Sequence, residues 1–331
     1  MKSVNLIDAK KFLLDYANLS QNLIFNQSNF LNEKKFNKIL AKPQWGMPFI
    51  LPKSIKYFTY PKNEKYFFKT SKKKVLEKLF LSKNSLYGPF LKFFAYGSEF
   101  CSNVKIKNKY KPQVLKFINE NKKLLNKIKL LKKKNKIIGA FQSRNIPHLG
   151  HEALINKLLE KCDYVFINPV CGVKKKGDVN TETLRKTYNF LINKHYKNKL
   201  IFAPIYTNMF YAGPREALHH ALLRQQLGFD YFIVGRDHAG SENNYSANHA
   251  IKIVKKYSRF FKINILTMSG AFYCKKCKKI ILLPNKKCKK QDLVNISGTN
   301  FRKCIIQNKI FKFARVDLQK YIHTIKGSIF Y

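Results

Sequence analysis

Arginine is scarce in this sequence. Only eight of the 65 basic residues are arginine, and none precedes Arg144. Histidine is withheld in the same way, with none before His148. Acidic residues number only 18. No apolar run reaches the length of a transmembrane helix, so no membrane partner is expected. The start, MKSVNLIDAKKFLLDYANL, carries Asp8 and Asp15 and lacks the apolar core and cleavage site of a signal peptide. Seven cysteines are few for 331 residues and include a Cys-x-x-Cys pair. That usage fits a reducing compartment better than a disulfide framework, and a cytoplasmic protein is expected. No GxxxxGK[ST] phosphate loop is present.

Lysine, asparagine, isoleucine and phenylalanine are plentiful instead, and the formal charge is +47. Such a charge ordinarily suggests nucleic acid. A lysine-rich, arginine-poor excess is better read as the drift of an AT-rich genome, with a moderate pull on anionic substrates as its consequence. Where lysine supplies generic charge, a retained arginine points to a need for its planar fork. Arg144, Arg215, Arg224, Arg236 and Arg302 lie in stretches distinctive for other reasons. Arg185, Arg259 and Arg315 read as incidental.

Residues 1–130 read as a mixed, largely β domain, with strand-like pieces at 49–51, 55–59 and 66–69 and a turn at 45–48. Helical periodicity over 113–136 ends in a lysine run, read as a solvated helix end. From Ile137 the pattern alternates strand and helix. Strands are expected at 137–142, 163–168, 199–204, 231–235 and 263–268, and helices at 148–161, 181–195, 214–227 and 246–259. This is the pattern of an α/β protein with a doubly wound parallel sheet. This alternating domain is bounded at 131–295, and a small C-terminal region over 296–331 follows.

Four stretches carry chemistry. In IIGAFQSRNIPHLGHE (137–152), an apolar strand gives way to a polar turn and then a helix start. Gln142, Ser143, Arg144, Asn145, His148 and His151 would then crowd one strand end, beside a helix N-terminus that favours anions. In AGPREA (212–217), Pro214 opens a helix followed by Arg215. In GRDHAG (235–240), two glycines bracket Arg236, Asp237 and His238 after an apolar strand, which suits an oxyanion or a ribose. In ISGTNFR (296–302), Ser297 and Thr299 stand at a helix start with Arg302 one turn on, so they can hold phosphate oxygens.

HLGH resembles the nucleotidyltransferase signature of class I synthetases and small adenylyltransferases. Taken with QSRN, AGPREA, GRDHAG and ISGTxxR, in this order and spacing, the chain resembles the ATP sulfurylase (sulfate adenylyltransferase) family across about 137–302. NPVCGVKKKGDV (168–179) and, faintly, QWGMPFILP extend the likeness. The resemblance implies a PUA-like N-terminal domain, a Rossmann-like nucleotidyltransferase domain and a homodimer or larger assembly. It implies the reversible reaction of ATP with sulfate to give adenosine 5′-phosphosulfate and pyrophosphate, with Mg²⁺. It implies that Gln142, Arg144 and the Ala239 amide bind sulfate, and that Ser143 and Asn145 line the nucleotide. It places His148 and His151 on the α- and β-phosphates, with Gly235, Arg236, Asp237 and His238 on ATP. Thr267 and Met268 would border the adenine. Arg215, Ser297, Thr299 and Arg302 would support the phosphates.

Three departures stand out. Phe210 follows Met209 where the family has arginine. The fused adenylylsulfate kinase of some relatives is not expected. Cys274, Cys277 and Cys288 match three ligands of a structural zinc knuckle spanning 274–288 in part of the family, whereas the fourth, a histidine there, is replaced by Asp292-Leu293. Two other readings remain open: a different HxGH-type adenylyltransferase, and an RNA-binding protein with a PUA-like domain. The first does not account for QSRN, AGPREA and GRDHAG together. The second leaves the arginine placement unexplained, and nucleic acid is not an expected partner.

Overall fold

Four consecutive buried residues, Ile138 to Phe141, form the strand beside which the functional loops are set out. The computed structural model describes residues 9–23, 53–54, 98–99, 108, 111–172, 177–209, 214–236, 238, 246, 248–285, 287–325 and 327–331. The early elements are α1 (Ala9–Ser20), β1 (Lys53–Ser54), β2 (Ser98–Glu99) and α2 (Lys111–Lys133). Then come β3 (Ile138–Phe141), α3 (Leu149–Leu159), β4 (Tyr164–Ile167), α4 (Thr181–Leu191) and β5 (Leu200–Phe202). They are followed by α5 (Pro214–Leu227), β6 (Tyr231–Gly235), α6 (His249–Lys256) and β7 (Asn264–Met268). Last are β8 (Gly270–Cys274), β9 (Lys279–Leu283), β10 (Leu293–Asn295), α7 (Gly298–Ile306) and α8 (Val316–His323). The expected strand pieces at 49–51, 55–59 and 66–69 and the turn at 45–48 lie outside the described residues.

The chain divides into two compact units. One comprises Met1–Leu125, Tyr206–Leu227 and Asp237–Lys262, and the other Asn126–Ile205, Gly228–Arg236 and Ile263–Tyr331. The second unit holds a five-stranded, all-parallel sheet in the order β5-β4-β3-β6-β7. The chain winds outward from β3 through β4 to β5, then returns to place β6 on the other side of β3. This reversal is the Rossmann-like switch point, and ligands of such sheets bind outside the carboxyl ends of the two strands that flank it. Two carboxylates seat the start of β3: Asp163 accepts from the Ile137 amide and Asp230 from the Ile138 amide, both at 2.8 Å. The core of this unit gathers Ile155 and Leu158 of α3, Val165 and Ile167 of β4, and Leu184 and Tyr188 of α4. Phe301 of α7 and Leu318 of α8 complete it.

All five parallel strands stand where the apolar runs place them. The helix expected over 214–227 is α5 with those bounds and that over 148–161 is α3, while the other elements differ in instructive ways. Residues 192–196 wind as a π-helix, so the expected helix over 181–195 is regular only to Leu191. The helix expected over 246–259 is α6 followed by a 3-10 turn, Ser258–Phe260. An antiparallel sheet, β10-β8-β9, occupies 270–295, where no strand was expected.

In the first unit, buried polar side chains fix the segment that precedes α5. Asn208 donates to Asp15 of α1 at 2.7 Å. Asn121 of α2 donates to the Tyr206 carbonyl and accepts from its amide, at 3.2 and 2.9 Å. A buried amide meets its hydrogen-bonding capacity in this way, and the backbone on either side of Tyr206 is held in register.

Candidate active site

The turn after β3 is shaped by its own side chains. Ser143 Oγ accepts from the Asn145 amide and donates to the Asn145 carbonyl, both at 3.1 Å. Its hydroxyl is therefore engaged in the turn. α3 then begins at Leu149, and His148 is its N-cap: Nδ1 accepts from the His151 amide at 3.3 Å, the longer branch of a bond that this amide shares with the His148 carbonyl at 2.8 Å. The imidazole thus replaces the usual short polar cap. An Nδ1 that accepts must carry a lone pair, so the neutral ring has its proton on Nε2 and presents a donor there.

His148 and His151 stack, with centroids 3.8 Å apart and planes 15° from parallel. Phe301 and Phe311 approach His148 edge-on, each at 6.5 Å. This apolar enclosure holds both imidazoles neutral. Burial depresses His148 well below the ordinary range, with a contribution from His151, and burial brings His151 down to about 4.

Three polar atoms are buried without a hydrogen-bond partner among the described residues: Gln142 Oε1 and Asn145 Oδ1 of this turn and His151 Nδ1 of α3. Buried polar atoms in folded proteins are almost always satisfied, so three within ten residues of the chain suit a polar ligand. The helix end is more selective than its position suggests. The Leu149 amide donates to the Phe313 carbonyl at 2.9 Å and the His151 amide to His148. The Gly150 amide is the remaining donor of this first turn. Glycine is needed there, because a Cβ would stand 3.0 Å from the His148 ring and 3.2 Å from Ala271.

The second unit brings further predicted residues to the same ends of the adjacent strands. Gly298 lies against Asn145, where an added Cβ would meet the amide nitrogen at 2.8 Å. Ser297 caps α7 by accepting from the Asn300 amide at 3.1 Å. Arg302 reaches Thr299 Oγ1 at 3.4 Å and Asp178 at 3.8 Å. Arg236, at the end of β6, donates to Asn295 at 2.8 Å and lies over the Phe272 ring at 5.4 Å. Gly235 pairs with Met268, and Val234 with Thr267. Arg144 is half-buried and has no partner among the described residues.

In the first unit, His220 of α5 lies between Glu216 at 3.2 Å and His238 at 3.1 Å. Glu216 and His220 are both fully buried. Arg224, one turn further along α5, is fully buried too, and its guanidinium falls to about 9 through desolvation. Asp237, Ala239 and Phe210 lie outside the described residues, as does the side chain of Arg215. The spacing Glu216-His220-Arg224, four residues apart twice, places all three on one helix face and was the signal available for this cluster.

The sequence reading missed a second group. Glu152, 4% exposed in the first turn of α3, receives Arg315 through Nε at 2.9 and 3.0 Å and Nη2 at 2.8 Å. Tyr196 Oη donates to it at 3.1 Å. Arg315, read from composition as incidental, is thus the counter-ion of a buried carboxylate. No local signal pairs residues 163 apart in the chain.

Cys274, Cys277 and Cys288 converge, their sulfurs all within 4.8 Å of one another. The Cys277 amide approaches Cys274 Sγ at 3.4 Å, and Cys277 Sγ lies 3.6 Å from Cys288 Sγ. The Asp292 carboxylate does not join this group; its backbone carbonyl accepts from the Lys275 amide at 2.8 Å.

The ATP-sulfurylase family profile matches residues 118–312. A sulfate adenylyltransferase of Ignicoccus hospitalis is 43% identical over 177 residues, 53% of this chain and 46% of that protein. One from Pyrococcus abyssi is 42% identical over 178 residues, again 53% and 46%. The chain thus spans about half the length of the relatives it matches. A solved structure titled hexameric APS kinase from Thiobacillus denitrificans is 13% identical, with a TM-score of 0.45, over 69% of this chain and 43% of that one. The profile covers more than half of the sequence, including QSRN, HLGH, AGPREA, GRDHAG and ISGT, and the chain belongs to the ATP-sulfurylase family.

Proposed function

We propose that the protein is a sulfate adenylyltransferase, in which sulfate attacks the α-phosphate of ATP in line and pyrophosphate departs. The observation that carries this reading is the turn after β3 and the start of α3, where Gln142, Asn145 and His151 hold buried polar atoms without a partner among the described residues, beside the Nε2 donor of His148. Sulfate is already ionised and a weak base, so its attack needs no general base. The site has to bring two anions together and absorb charge on the leaving group. Donors rather than a nucleophile–base pair meet that need. In this reading Gln142, Arg144 and the Ala239 amide hold sulfate, and Asn145 lines the nucleotide. His148 donates to the departing pyrophosphate and His151 supports it from the stacked position. Gly235, Arg236, Asp237 and His238 hold ATP, with Met268 near the base and Arg215, Ser297, Thr299 and Arg302 supporting phosphates. A PUA-like fold for the N-terminal residues, a homodimer and a cytoplasmic location belong to the same reading.

In this reading Mg²⁺ accompanies the ATP phosphates, where it would neutralise charge. The cysteine group fits structural Zn²⁺ in three of four ligands. Desolvation and the neighbouring thiols push Cys288 up to about 12, while the Cys277 amide holds Cys274 down, a crowding that a divalent cation relieves. Metal analysis of purified protein should find about one zinc per chain, lost in Cys277→Ser; a metal-free wild type would remove the assignment.

Sulfate-dependent ATP–pyrophosphate exchange tests the activity. Wild type should exchange, and Arg144→Ala and His148→Ala should each lose it by about a hundredfold or more, the scale of a lost transition-state donor. Unchanged exchange in both variants would overturn the site.

A further inference from the structure

The segment 311–315 reaches the start of α3 in three ways. The Phe313 carbonyl accepts from the Leu149 amide at 2.9 Å. The Phe311 ring stands edge-on to His148 and stacks on Phe301 at 5.0 Å. Arg315 grips Glu152 through Nε and Nη2. The segment is itself held by the side chain of Gln319, which accepts from the Phe311 amide at 2.7 Å and donates to the Phe311 and Ala314 carbonyls, both at 3.1 Å. Glu152 is the residue after His151, and its carboxylate is buried within the same helical turn.

We propose that Arg315 and Glu152 are positioning residues that hold the first turn of α3 so that His148 keeps its capping Nδ1 and presents Nε2–H. A buried carboxylate needs a cation and hydrogen bonds, or it moves to water or takes a proton. Movement of Glu152 would rotate the turn that carries the His151 amide. His148 Nδ1 would then lose its donor, and the ring would lose the contact that fixes its tautomer. Neither Arg315 nor Glu152 is assigned contact with a reacting atom. Their effect runs through His148, and its kinetic part rests on the sulfate adenylyltransferase reading.

The test compares wild type with Arg315→Met, Arg315→Lys and the double variant Glu152→Gln/Arg315→Met. The double variant removes the buried charge and its partner together while keeping their shape. Long-range ¹H–¹⁵N spectra of the ligand-free proteins report the tautomer of His148. Wild type should show a neutral ring protonated at Nε2, Arg315→Met should lose that signature, and the double variant should recover it. In sulfate-dependent exchange, Arg315→Met should lower kcat by at least tenfold with the KM for ATP changed less than threefold. Arg315→Lys and the double variant should return most of kcat. If Arg315→Met keeps both the His148 tautomer and kcat, the inference is wrong. If Arg315→Met does not fold, the folded double variant decides, since failure to recover the wild-type tautomer overturns the inference. Absence of exchange in wild type would overturn the activity reading alone, because the tautomer comparison needs no substrate.

Discussion

His148 caps its own helix with one nitrogen, and that fixes what the other can offer. His151 stacks on it, and burial disfavours a positive charge there. Between the usual imidazole value near 6.5 and about 4, an unfolded chain takes up a proton on residue 151 that the folded chain refuses. Stability is therefore intact above about pH 6.5 and is lost as the pH falls toward 4, by about 3 kcal/mol from this residue. Denaturant unfolding of the ligand-free protein at a series of pH values should show this slope, and His151→Asn should flatten it by that amount. A variant with the wild-type slope would mean that His151 titrates normally. The histidine pair was legible from its spacing and the preceding strand. Its neutrality was not, because the enclosing Phe301 and Phe311 come from about 150 residues further on.

At the scale of elements, the strands were readable because a buried parallel strand is a short apolar run and little else. YVFI, YFIVG and IIGAF leave few alternatives. The β8–β10 sheet hid for the opposite reason: its strands are half-buried and flanked by lysines around the cysteine turn, so no clean alternation marks them. The N-cap of α7 was readable from ISGT, and its closeness to Asn145 was not. Gly298→Ala isolates that contact. Alanine at a helix start is no worse for the backbone than glycine, so thermal stability should hold or rise slightly. The new Cβ would press on the Asn145 amide at 2.8 Å and displace it, lowering exchange by about tenfold or more. Equal loss of stability and exchange would show that the contact supports folding rather than the site.

For the whole molecule, a formal charge of +47 sets up self-repulsion that the 18 acidic residues cannot cancel. The described carboxylates stand beside cations repeatedly, as in Lys132–Asp230, Lys136–Asp163, Lys157–Glu160 and Arg185–Glu182. Exposed pairs of this kind each contribute little. Raising NaCl from about 0.01 M to about 0.15 M shortens the Debye length from ~30 to ~8 Å, and the melting temperature should rise by several degrees. Pyrophosphate at matched ionic strength should raise it further by binding the folded state. Equal effects of the two salts would leave the charge without a ligand-binding contribution. Net charge was fully legible in the sequence, but which cations serve the site was not. Arg315 has the same composition-level description as Arg259, and only the fold separates them.

The ion pair on Glu152 also has a timetable. Its two halves are 163 residues apart, which a ribosome adding about 5–20 residues per second covers in roughly 8–33 s. During that interval the strand, the turn and α3 have been made, and their carboxylate has no guanidinium to meet. The first turn of α3 can be buried with its charge matched only once the segment containing Phe313 and Arg315 has emerged. In a nascent chain of this protein all five strands of the parallel sheet, the last ending at Met268, therefore precede the arginine that pairs with Glu152.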